Sequence, residues 1–242
     1  RAPRRALVIC FGMGTTFRSL VSWGAQTTAV ELSPSVPGLF GFFHADAARV
    51  LAAPGARVVV DDGRRWLARS RERFDLIAVD PPPPLESAGT GMLYSKEFYA
   101  RVRAHLAPDG LLSQWIAEPL DPATRASFAR ALRESFPYVR VFRSFITREV
   151  WGWHVIAGLR PIQEADAVAL ARRLPPAAAK DFVELGPDRA PRAQFSLLLA
   201  GETTLDALAS TPAPALSDDR PINEYYFLRR TFPALAPWLL RR

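Results

Sequence analysis

Four stretches of this chain have side chains and spacing suited to holding a nucleoside: Gly12-Met13-Gly14, Glu31, Asp61-Asp62-Gly63 and Asp80, each placed directly after an apolar run. Glycines let a ligand come close to the backbone, and amides at the start of a following helix can face a carboxylate or a polar tail. An acidic residue where Glu31 stands can accept hydrogen bonds from both hydroxyls of a ribose. Asp62, beside Gly63, can accept from the exocyclic amine of an adenine. Taken singly, each reads equally well as a loop carboxylate or a helix cap. Acidic residues after three further strands, in register with a glycine turn, make a more specific pattern.

The elements that must position these residues alternate along the chain. Short apolar runs at 6–10, 27–32, 57–60, 74–79 and 111–116 read as strands buried on both faces. Between them, helices are expected from Thr15-Thr16 (which offer capping oxygens) to Trp23, over Val36–Leu51, from Arg64 to Ser70, and from a Ser95 cap to His105. A further helix is expected over Pro122–Phe136, then strands near Val139–Ser144 and Trp153–Ala157. The short link between these last two strands calls for an antiparallel hairpin. The fold expected is α/β: a Rossmann-like, class I methyltransferase-type sheet, mostly parallel with an antiparallel last strand, and helices on both faces. Pro81-Pro82-Pro83-Pro84 should form a stiff, extended wall after Asp80. The nucleoside-binding domain is expected over residues 1–160, with 161–242 a helical C-terminal extension packed on it.

Composition narrows the class. The chain has 242 residues, 49% apolar and 23% charged, as in a globular domain with a full core. No apolar run reaches the roughly 18 residues that a membrane span needs, and the start is not that of a signal peptide. The net charge of +7 is almost all arginine, since only Lys96 and Lys180 are lysines. These arginines are scattered, which favours solvated helix faces over a nucleic-acid surface. Cys10 stands alone and cannot form an internal disulfide; a small core residue in a reducing compartment is expected. His44, His105 and His154 lack metal-ligand spacing, so no metal is expected and each histidine reads as structural. Trp115 and Phe42-Phe43 could line the pocket, with core packing the first reading, and there is no Walker-type loop or Gly-x-Ser-x-Gly elbow.

The motifs Gly12-Met13-Gly14-Thr15-Thr16, Val30-Glu31-Leu32-Ser33-Pro34, Val60-Asp61-Asp62-Gly63-Arg64, Phe74 to Asp80, Leu93-Tyr94-Ser95-Lys96-Glu97 and Leu106 to Gln114 follow in an order that resembles the spermidine synthase (polyamine aminopropyltransferase) family. The resemblance covers roughly residues 5–160. It implies a decarboxylated S-adenosylmethionine donor, a small-molecule amine acceptor, and in-line transfer of an aminopropyl group. Asp80 matches the family's catalytic aspartate, which accepts the proton of the amine. The stretch Ser217-Asp218-Asp219-Arg220-Pro221-Ile222-Asn223-Glu224-Tyr225 is similar to the tail of spermidine synthase-like domains fused to membrane segments. A cytoplasmic domain follows, free or as the soluble part of a membrane protein, with a homodimer left open.

Departures from the family fall on the substrate side. Met13 and Pro83 stand where the family carries aspartates, and Glu86 and Tyr94 are the nearby candidates for contacting substrate. Two alternatives therefore stay open. One is a methyltransferase using S-adenosylmethionine, whose carboxylate the Met13 turn would leave room to receive. In it, Asp80-Pro81-Pro82 resembles the Asp-Pro-Pro-aromatic motif of amino-methylating enzymes, with Tyr94 the nearest later aromatic. The other is a nucleoside-sensing domain without turnover.

Overall fold

The computed structural model describes residues 2–81, 85–146, 149–184 and 186–240. Five apolar runs build the parallel part of one sheet: β1 (Arg5–Ile9), β2 (Gln26–Glu31), β3 (Ala56–Val60), β4 (Phe74–Val79) and β5 (Leu106–Ala117). Both faces of the central strands β1 and β4 are covered, so their successive apolar side chains are buried in opposite layers, while β3 at the sheet edge is only partly covered. Ala6 and Val8 pack with Phe17, Leu20 and Phe40, while Leu7 and Ile9 pack with Leu67, Phe98 and Phe128. Each large side chain so removed from water contributes about 1.5–3 kcal/mol.

The first layer is formed by α1 (Thr15–Ser22), α2 (Phe40–Phe43) and α3 (Ala47–Leu51); the second by α4 (Gly63–Arg69), α5 (Lys96–His105) and α6 (Pro122–Ser135). A hairpin of β6 (Tyr138–Ile146) and β7 (Glu149–Gly158) joins antiparallel, with β7 against β5. The sheet order is β3-β2-β1-β4-β5-β7-β6-β8, where β8 (Glu202–Thr203) comes from the C-terminal region. This is the expected open α/β sheet with an antiparallel end. Its order reverses between β1 and β4, which places the ligand crevice above the carboxyl ends of those two strands.

Several local expectations change. The single helix expected over Val36–Leu51 is broken: a 3-10 turn at Pro37–Leu39 leads into α2, His44 is extended, and α3 follows. Gly38 and Gly41 weaken helix propensity there, and Arg18 and Arg49 grip Asp46 at the break. Thr15 and Thr16 do not cap α1, because Gly14 takes the N-cap position in a left-handed conformation with no side-chain cap. The fifth strand starts at Leu106, with Pro108–Gly110 absorbed in a register shift opposite Phe74–Leu76. Of the expected proline wall, only Pro81 lies within the described residues.

Beyond Pro161 come α7 (Ala167–Arg173), α8 (Pro176–Glu184), α9 (Pro191–Ala200) and α10 (Leu205–Leu208), then α11 (Tyr226–Thr231) and α12 (Ala236–Leu239). Among them, α8 packs on α1, α9 on β6 and α10 on α6. No helix among the described residues is long and apolar enough to cross a membrane.

Candidate active site

A cleft of about 1180 Å³ opens at the crevice. Sheet order sets the order of its contributors: Asp62 after β3, Glu31 ending β2, Gly12 after β1, Asp80 after β4, then Trp115 on β5, His154 on β7 and Ser144 on β6.

The glycine turn is a tight left-handed path, with φ of 71° at Cys10, 54° at Gly12 and 82° at Gly14. A Cβ on Gly14 would overlap the Phe40 ring, whereas one on Gly12 would meet nothing within 4 Å. Glu31 fastens this turn from the neighbouring strand. Its Oε2 accepts the Phe11 amide at 2.9 Å and, at 3.5 Å, that of Gly12, while Oε1 accepts the Ser33 amide at 2.9 Å. A carboxylate has about four acceptor sites, so Glu31 both braces the turn and keeps capacity toward the cleft it lines. Met13, between the glycines, is half-exposed and lines the same cleft. Cys10 packs against the core, as expected, and also lines the cleft. Burial and the carboxylates of Glu31, Asp80 and Asp62 push its thiol up to about 12, so it stays protonated and non-nucleophilic.

Asp61 and Asp62 part ways. Asp62 caps α4, its Oδ1 accepting the Arg65 amide at 2.7 Å, and it lines the cleft with Gly63. A Cβ on Gly63 would stand 2.5 Å from Ile9 Cγ2, so only glycine fits beneath that corner. Asp61 lies outside the cleft lining, held by Arg65 and Arg69, which keep its carboxyl below the usual range.

Asp80 stands one strand over from the turn, and its Oδ2 accepts the Thr16 hydroxyl at 2.5 Å. Burial raises its carboxyl above the ordinary range, opposed by that hydrogen bond and by the nearby His154. Burial likewise lowers His154, opposed by Asp80. His154 Nε2 shares a hydrogen bond with the Ser144 hydroxyl at 3.1 Å. The result is a carboxyl lining the cleft whose proton affinity is raised above that of an ordinary carboxylate.

His154, which the sequence assigns to structure, and Trp115, for which core packing is the first reading, therefore line the site. Their signal lay only in the pairing of β5 with β7, where Trp115 opposes His154. His44 holds the Thr15 hydroxyl at 3.3 Å, and His105 binds the Ser70 and Arg101 carbonyls. Tyr94 is not part of the cleft lining, although Cys10 and Asp80 lie close enough to act on its hydroxyl electrostatically. It is fully buried, stacked on Phe128 with ring centroids 4.2 Å apart, and donates to the Trp115 carbonyl at 2.8 Å. Glu86 is half-buried and outside the cleft lining, and Pro83 is not among the described residues.

The C-terminal helices roof the cleft with Phe182, Gly186 and Gln194. Arg18 of α1 ties that roof down, donating to Asp46 at 2.8 Å, Asp181 at 2.6 Å and Glu184 at 2.5 Å. Burial keeps Asp181 above the usual carboxylate range in spite of Ser19 and Arg18. Among the described residues no three His, Cys, Asp or Glu side chains converge to hold a metal ion.

Residues 1–156 match the spermine/spermidine synthase domain model. A polyamine aminopropyltransferase of Hyperthermus butylicus is 28% identical over 162 residues, covering 63% of this chain and 52% of that protein. An N-terminal histidine N-methyltransferase of Emericella nidulans is 30% identical over 159 residues, covering 62% of this chain and 26% of that protein. The chain thus spans about half the length of the first relative and about a quarter of the second. A spermidine synthase solved with the transition-state analogue AdoDATO superposes with a TM-score of 0.65 at 20% identity, covering 86% of this chain and 70% of the other.

Proposed function

This chain belongs to the spermine/spermidine synthase domain family, and from that premise we propose that its cleft binds an S-adenosylmethionine-type donor and transfers an alkyl group, aminopropyl in the first reading, to an amine. The observation that carries the proposal is Asp80: a carboxyl raised by burial, fixed by Thr16, at the switch point beside the glycine turn. The cleft residues fit the donor. Glu31 offers acceptor sites for ribose hydroxyls, Asp62 for an adenine amine, and the left-handed glycine turn allows close approach of the ligand. We assign catalysis to residues 1–160 and the role of cover to 161–242.

When bound, the donor presents a carbon next to its sulfonium, whose C–S bond breaks with the electron pair leaving to sulfur as nitrogen attacks. The chain does the rest. An amine is protonated at neutral pH, its pKa being about 10, so Asp80 must hold the cationic form and take its proton. A carboxyl with a raised pKa is the better base for that step. Thr16 aims the carboxyl, and the Phe182 roof limits water at the reacting end.

Methyl transfer from S-adenosylmethionine is the second reading, favoured by Met13, which puts no carboxylate in the glycine turn to repel the donor's own. Incubation with either donor and a panel of amines separates them. Release of methylthioadenosine marks aminopropyl transfer, and release of S-adenosylhomocysteine marks methylation. If neither appears with any amine, the transfer reading fails.

A further inference from the structure

The transfer reading leaves the 217–225 stretch without a role, yet that stretch is fastened to the loop that follows Asp80. Arg64, next to Gly63 at the nucleoside end, lines the cleft with its side chain only 12% exposed. Its Nη1 donates to the Met92 carbonyl at 2.7 Å and to Asp218 Oδ1 at 2.8 Å, and its Nη2 to Asp218 Oδ2 at 2.6 Å. The Arg64 guanidinium thus joins two cleft walls, the start of α4 and the Thr90–Leu93 turn, and the bidentate Asp218 carboxylate of the tail holds that guanidinium in place. Glu224 Oε1 accepts the Gly89 amide at 2.8 Å. Asn223 is fully buried, donates to the Leu85 carbonyl at 2.6 Å, and fills the space that a Cβ on Gly91 would need. Its Oδ1 has no hydrogen-bond partner among the described residues.

The tail thus contacts Leu85, Gly89, Gly91 and, through Arg64, Met92. It is itself anchored: Lys96 N–H donates to the Leu216 carbonyl at 3.0 Å, and Arg229 donates to both Asp121 oxygens at 2.9 Å. Gly89, Thr90 and Met92 all line the cleft. We propose that the Asp218–Glu224 segment is a latch that fixes the wall from Leu85 to Leu93, with Asp218, Asn223 and Glu224 as positioning residues for the nucleoside end of the cleft. The ordering of the wall stands on these contacts alone; its effect on ligand affinity rests on the function proposed above.

The test compares the full chain with Asp218→Asn, which breaks the fork, and Glu224→Ala, which removes the acceptor of the Gly89 amide. Glu224→Gln keeps an acceptor and is the conservative control. Without ligand, hydrogen exchange over 85–93 should be about tenfold or more faster in the first two variants, while peptides over β1 and β4 stay unchanged. Calorimetry should show methylthioadenosine binding about tenfold more weakly to both. Glu224→Gln should restore most of each effect. Unchanged exchange over 85–93, or exchange accelerated evenly across the molecule, overturns the latch. If the wild-type chain binds no methylthioadenosine, the nucleoside reading fails and local exchange alone decides the latch.

Discussion

At the proposed nucleoside end of the cleft, Gly12–Gly14, Glu31 and Asp62-Gly63 come from three adjacent strand ends and are held in place by main-chain amides, whereas the proposed reacting end gathers Asp80, Trp115, Ser144, His154 and Phe182 from five separate segments. The first end is organised by bonds of main-chain amides to carboxylates, such as Phe11 to Glu31 and Arg65 to Asp62. The second depends on side chains meeting side chains, such as Thr16 with Asp80 and Ser144 with His154. Backbone-built sites tolerate drift in sequence, so the donor class is carried by motif. Side-chain-built sites change with single substitutions, so under the proposed function the reaction is decided at the second end, around Asp80 and His154.

Substitutions at the two ends should therefore fail differently. Asp80→Asn should lower transfer by about 10²–10⁴-fold while leaving nucleoside affinity nearly intact, read by turnover and calorimetry side by side. It should also melt at the same or a higher temperature at neutral pH. A carboxyl raised on folding makes the native state bind its proton more tightly, so stability falls as pH rises through the raised value. The amide variant escapes that loss. An equal loss of binding and turnover would erase the distinction between the ends.

Gly14→Ala should cost about 2–5 kcal/mol, combining left-handed strain with overlap on Phe40. Gly12→Ala, facing open space, should cost only about 1–2 kcal/mol from strain; denaturant midpoints compare the pair. Glu31→Gln should weaken nucleoside binding by about 1.5–3 kcal/mol, the range for hydrogen bonds to a charged group, with turnover at saturating donor little changed.

The smallest effect expected is a shift in pH profile. Asp80 must be ionised to act as base, so activity falls as pH drops through its raised pKa. The Thr16 hydrogen bond lowers that pKa, and Thr16→Val should therefore move the acidic limb of kcat/KM to higher pH. A limb that stays put would remove Thr16 from the account.

Much of the first end was legible in the sequence, because strand ends, glycines and acidic residues are local signals. Even there, the sequence groups Asp61 with Asp62 among the binding residues, and only α4, which brings Arg65 and Arg69 against Asp61, sets it apart. Tyr94 looked like a pocket aromatic because only tertiary packing sets its hydroxyl on the Trp115 carbonyl. His154 looked structural because antiparallel pairing of β7 with β5 carries it to the cleft, and no spacing in the chain announces that. The roof was hidden for the same reason: Arg18 meets Asp181 across 163 residues of sequence.

The most direct test of the central claim is titration calorimetry of the purified chain with S-adenosylmethionine, its decarboxylated form and methylthioadenosine. The account predicts binding of methylthioadenosine, carried by the nucleoside end alone, with one of the two donors preferred over the other. No measurable binding of any of the three would contradict it.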